Sequence, residues 1–133
     1  MKRNVLLPIM AWGIAVVLSG CAPINPIPEG STLLGVYEGS YNGKFSWGDC
    51  ETKLYRTPNG TIAFLGTFTD SSGDGLPAVF NGQVTNGKMN GIFSQPVDGT
   101  VSGELSADGR SMSGTFKISD PPFDHGPWNG QKK

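Results

Sequence analysis

Beyond residue 32 the chain alternates apolar and polar positions, and glycine stands at the centre of that alternation. A unit of five residues (apolar, any, Gly, any, apolar) recurs as Tyr37-Glu38-Gly39-Ser40-Tyr41, Phe64-Leu65-Gly66-Thr67-Phe68, Phe80-Asn81-Gly82-Gln83-Val84, Met89-Asn90-Gly91-Ile92-Phe93, Val101-Ser102-Gly103-Glu104-Leu105 and Met112-Ser113-Gly114-Thr115-Phe116. Trp128-Asn129-Gly130 begins another. A period of two is the strand period, so the apolar residues and the glycine share one face. The positions between them are polar except Leu65 and Ile92. Such strands are buried on one side and wet on the other. Glycine weakens a strand, so its place on the buried face needs a reason: it permits sharp coiling and leaves room for large side chains across the interior. Tyr37, Tyr41, Phe64, Phe68, Phe80, Phe93, Phe116 and Trp128 are those side chains.

Short turn signals separate the units. Asn42-Gly43, Pro58-Asn59-Gly60, Asn86-Gly87, Asp98-Gly99 and Asp108-Gly109 suit tight hairpins, because glycine accepts positive φ. Cys50 to Thr57 supplies a strand without a central glycine, with Cys50, Thr52 and Leu54 inward and Glu51 and Lys53 outward. The pattern predicts eight strands, near 33–42, 50–57, 61–69, 77–85, 88–95, 100–106, 110–118 and 126–131. No segment carries a capped helical stripe. The expected fold is all-β: an antiparallel meander closing into an eight-stranded up-and-down barrel with no exposed edge.

The serial glycine-centred strands over residues 33–131 resemble lipocalin-like and avidin-like barrels, including small envelope domains of bacteria. That resemblance implies the barrel fold and, for the lipocalin-like barrels, a small apolar ligand carried inside. Bacterial protease inhibitors with small eight-stranded barrels are a further likeness, but their paired cysteines have no counterpart here.

The first twenty residues read differently. Lys2 and Arg3 precede an apolar run from Val5 to Leu18, whose 14 residues fall short of the ~20 that cross a bilayer as a helix. Leu18-Ser19-Gly20-Cys21 resembles the lipobox of bacterial lipoproteins at all four positions. The resemblance implies a signal peptide over 1–20, cleavage before Cys21, a diacylglyceryl thioether on its sulfur and an acyl group such as palmitate on its amine. Each buried methylene contributes about 0.8 kcal/mol, so two or more chains hold a protein on a membrane. Residues 21–32 include Pro23, Pro26 and Pro28 and read as an extended tether, leaving 33–133 as the barrel domain. Ala22 in place of aspartate implies, by the same resemblance, the outer membrane of a two-membraned cell. In a one-membraned cell it implies the outer face of the cell membrane.

Charge and candidate chemistry change this picture little. After cleavage, eight Lys+Arg face eleven Asp+Glu, a formal charge of about −3 (8 − 11), with no basic run. A nucleic-acid partner has no electrostatic footprint here. With Cys21 lipidated, Cys50 has no partner for a disulfide. Cys50 with His125, the single histidine, is an imaginable nucleophile–base pair, but Cys50 reads as a small buried apolar residue and His125 as a loop residue among prolines. One histidine makes a poor zinc site, and no cofactor is expected. Asp70, Ser72 and Asp74 resemble the first half of a calcium loop, yet Asn81 stands where the bidentate glutamate belongs and the flanks are strands. A polar hairpin loop of turn formers is the plainer reading. Glu104, Asp120 and Asp124 read as solvated surface charge, with nothing evident to shift their pKa values. The most unusual segment is Asp120-Pro121-Pro122-Phe123-Asp124-His125-Gly126-Pro127-Trp128, a stiff loop that offers Phe123, His125 and Trp128 as binding residues or as a cover for the barrel mouth. Trp47, in Phe45-Ser46-Trp47-Gly48, falls toward a mouth as well.

The expected function is therefore non-catalytic: an envelope lipoprotein held on a membrane by lipid, binding or assembling with an envelope protein through its loops or outer face. A carrier of a small apolar ligand, or an inhibitor or accessory subunit of a secreted enzyme, is the alternative.

Overall fold

A computed structural model describes residues 27–70, 78–121 and 123–133. Eight strands run in sequence order: β1 (Thr32–Asn42), β2 (Trp47–Arg56), β3 (Ile62–Asp70), β4 (Ala78–Thr85), β5 (Lys88–Gln95), β6 (Gly99–Leu105), β7 (Ser111–Ile118) and β8 (His125–Lys132). Each pairs antiparallel with the next, and β8 returns to β1, so the sheet is a closed barrel. Closure leaves no strand edge for another chain to extend.

All eight aromatic residues expected to face inward are buried, none more than 5 % exposed. Cys50, Thr52 and Leu54 join them from β2, and Glu51 and Lys53 face out. The rings fill the bore. Near the end carrying the β1–β2 and β7–β8 loops, Tyr41 stacks on Phe68 at 4.1 Å, and Phe68 meets Phe80, Phe93 and Phe116 edge-on at 5.0–5.5 Å. Deeper, Phe80 lies against Trp128 at 6.0 Å, and the Tyr37 hydroxyl donates to the Gly109 carbonyl at 2.5 Å, tying the interior to the β6–β7 turn.

Both reasons for the interior glycines are visible. Gly66 lies against the Phe80 ring, which occupies the space a side chain there would need. Gly82 faces Gly91, and Gly103 faces Gly114, across neighbouring strands. A Cβ on Gly82 or Gly114 would run into the carbonyl oxygen of Asn90 or Ser102, so the backbones approach here at a distance that only glycine allows.

Two of the five turn signals work otherwise than expected. Asn86 and Gly87 both take positive φ (53° and 77°), as do Gly60 and Gly109. Gly43 and Gly99 do not. Their glycines answer to close approach: a Cβ on Gly43 would stand 2.5 Å from an Asp124 carboxylate oxygen, and one on Gly99 2.2 Å from the Lys117 carbonyl oxygen.

The described part of the expected tether is not extended. Ser31 N–H donates to the Pro28 carbonyl at 3.1 Å, closing a turn with Gly30 at φ 86°. Ile27 then packs on an outward-facing apolar cluster of Tyr55, Ala63, Leu65 and Val79. This accounts for Leu65, one of the two apolar exceptions among the outward positions. A buried outer patch needs a cover, and Ile27 provides it.

Candidate functional site

The β1–β2 loop (43–46) and the β7–β8 loop (119–124) share one end of the barrel, opposite the end at which the chain enters β1. Asp124 joins them. Its Oδ1 accepts the backbone N–H groups of Lys44 (2.6 Å), Phe45 (3.0 Å) and His125 (2.9 Å), and its Oδ2 accepts the Ser46 hydroxyl (2.6 Å). The reading of Asp124 as solvated charge is thus corrected, since it is only 4 % exposed. Burial pushes its pKa up, but the bonds from Ser46, Phe45, His125 and Lys44 together outweigh burial and hold it below the ordinary aspartate value. Main-chain bonds add to the clasp: Lys44 N–H donates to the His125 carbonyl and Ile118 N–H to the Asp124 carbonyl.

The clasped segments display three large apolar side chains to solvent: Phe45 (55 % exposed), Trp47 (58 %) and Phe123 (64 %). Lys44 Nζ lies 5.5 Å from the centre of the Phe45 ring. Trp47 opens β2 on its outer side, paired with Asn42. Sequence reasoning singled out Phe123 and Trp47 but passed over Phe45. The available signal was Phe45-Ser46-Trp47 ahead of an inward Gly48, which puts two aromatics on the outer side of a loop-to-strand junction.

The other sequence candidates fall elsewhere. Trp128 does not belong to a binding loop: it is 1 % exposed in β8, and its indole N–H donates to the Ser102 and Thr115 carbonyls at 3.2 Å. His125 is exposed at the start of β8. Cys50 faces the core, where burial pushes its thiol up to about 12 against a weaker opposing bond from Thr52. An inward thiol and an outward imidazole do not form a nucleophile–base pair. Glu104, at the opposite end from Asp124, is exposed in an ion pair with Lys88 at 2.8 Å, and an Asp120 carboxylate oxygen accepts the Asp98 N–H at 2.8 Å. Asp70 ends β3, while Ser72 and Asp74 lie outside the described residues, as do Cys21 and the whole lipobox. Among the described residues no group of three His, Cys, Asp or Glu side chains is placed to hold a metal.

Three concavities of about 550, 450 and 470 Å³ are lined by residues of the outer wall and its margins, and the bore is occupied by the stacked rings described above. Compared with known families and with curated proteins, the chain matches no family model and no curated sequence.

Proposed function

We propose that this chain is a lipid-anchored bacterial envelope protein whose filled barrel serves as a non-catalytic binding module for another envelope protein. The lipobox supports the anchor. The observation that carries the binding half is the Asp124 clasp, which holds three exposed aromatic side chains on one rim. Aromatic residues dominate the energetics of protein interfaces, and holding their backbone in place beforehand lowers the entropy lost on binding. A bore filled by Tyr41, Phe68, Phe93 and Phe116 directs recognition to the outside, which favours this reading over that of an internal carrier.

The turn at Ile27–Ser31 sets the geometry. With Ile27 on the wall, only Cys21 to Pro26 can bridge to the membrane, about 20 Å at full stretch. The chain enters β1 at the end opposite the rim, which favours a pose with that end toward the lipid and the aromatic rim away from it.

Two measurements test the halves separately. Labelled palmitate fed to producing cells should enter the protein, and Cys21→Ser should abolish incorporation; an unlabelled protein ends the anchoring half. Crosslinking in cells should recover a partner that Phe45→Ala/Trp47→Ala/Phe123→Ala loses with the melting temperature preserved. Equal recovery by that folded triple variant ends the rim half.

A further inference from the structure

The outer wall carries a second feature, away from the rim and independent of it. A concavity of about 550 Å³ is lined by β3, β4, β5 and the β2–β3 turn, and a separate one of about 450 Å³ by β5, β6 and β7; Asn90 borders both. With neighbouring strands about 4.8 Å apart, the two gaps between β3, β4 and β5 make the first a furrow about 10 Å across. Backbone at Gly82 and Gly91 forms part of its lining.

The lining is unusual in its chemistry. The first concavity has no charged residue, and the charges of the second, Lys88 and Glu104, neutralise each other. Asn81, Gln83 and Asn90 lie side by side on adjacent strands, Gln83 opposite Asn90 and Asn81 opposite Ile92. Their side-chain amides make no hydrogen bond with any other described residue, whereas Asn59 nearby is engaged with Thr57 and Thr61. Ile92, the second apolar exception among the outward positions, is 57 % exposed beside them.

This chemistry excludes several ligand classes. An anion or nucleic acid needs unpaired basic groups. An extended peptide adds to a sheet edge, and a closed barrel has none. A protein hot spot is centred on buried aromatic or arginine anchors, and here the centre is amide. Free amides in a row, each offering a donor and an acceptor, suit a neutral ligand dense in hydroxyl and acetamide groups. We propose that this furrow binds a neutral N-acetylated glycan strand, with Asn81, Gln83 and Asn90 pairing to its acetamide and hydroxyl groups and Ile92 under the apolar face of a sugar ring.

The test is a titration of the labelled domain, residues 22–133, with the N-acetylglucosamine tetramer, followed by amide NMR. Shifts should concentrate in residues 55–63 and 81–92 and include the side-chain amides of Asn81, Gln83 and Asn90. The glucose tetramer of the same linkage, which lacks acetamides, should bind at least tenfold more weakly. Asn90→Ala and Gln83→Ala should each weaken binding up to about tenfold, with unchanged melting temperatures because both side chains are exposed. No perturbation by millimolar tetramer overturns the proposal, and so do shifts confined to Phe45, Trp47 and Phe123. Equal affinity for the glucose tetramer overturns the acetamide assignment, and the same shifts from an extended peptide overturn the ligand class.

Discussion

Replacing Asp124 with alanine removes four hydrogen bonds at once and leaves the Phe45 and His125 N–H groups and the Ser46 hydroxyl without this acceptor, while Lys44 N–H keeps only the His125 carbonyl. A bond to a charged acceptor contributes about 1.5–3 kcal/mol, and these donors are only partly buried, so water recovers some of the loss. The expected cost is about 3–4 kcal/mol. For a domain of this size each kilocalorie shifts the melting temperature by about 4 °C, so the Ala variant should melt roughly 12–16 °C lower. Asp124→Asn keeps one acceptor oxygen and can turn its amide toward the Ser46 oxygen, for a cost of about 1 kcal/mol. The two proteins should also differ with pH. Because the folded-state pKa of Asp124 is depressed, its contribution is present above the unfolded value of 3.8 and is lost as pH falls through the lower folded value. Thermal melts followed by circular dichroism from pH 7 to pH 3 should therefore show the gap between wild type and Asp124→Asn closing in acid. An Ala variant melting within about 2 °C of wild type, or a gap that holds constant in acid, refutes the clasp.

Other expectations follow from the wall and the core. Gly114→Ala forces a Cβ into the Ser102 carbonyl and should cost more than about 3 kcal/mol, whereas Gly109→Ala, with open space around it, should cost only the ~1–2 kcal/mol of its positive φ; denaturant titration separates them. Trp128→Phe should lose about 2–3 kcal/mol by shedding the indole N–H bonds and half the ring, while Trp47→Phe should stay within about 0.5 kcal/mol in the same assay. With its thiol pushed up to about 12, Cys50 should resist iodoacetamide at pH 8 until denaturant is added, as mass spectrometry of the modified peptide would show.

The barrel was legible because its evidence is local. Each glycine-centred unit declares its own buried face, and the strand limits agree to within a residue or two except at β2, which begins at Trp47. There the pattern inverts: an outward aromatic, an inward glycine and an outward aspartate carry no apolar alternation. Asp124 was illegible for a different reason. Its loop partners are main-chain N–H groups and one hydroxyl 78–80 residues away, and a backbone donor has no signature in a sequence. Leu65 and Ile92 were visible as breaks in the outward polar pattern. Only the fold shows that Ile27 covers one of them and that the other stands beside free amides. Trp128 satisfied two patterns, the strand period and the proline-rich loop. Its indole finds both buried carbonyl partners and a ring-lined space inside, so the strand period prevails.

The ring of strands is not equally fastened all the way round. β1 is matched to β2 through ten aligned residue pairs, but to β8 through only three: Tyr37 with Lys132, Glu38 with Gln131, and Tyr41 with Trp128. Lys133 stitches the joint further, its main chain to Val36 and its ammonium group to Glu38 at 3.0 Å, and that last contact is exposed to salt. A pull arriving from residues ahead of β1 first meets Ile27 on the wall and then the seam with the fewest aligned pairs. Mechanical strain on that path therefore bears on the joint between the first and last strands, which the Asp124 clasp fastens at one end and the Lys133 contacts at the other.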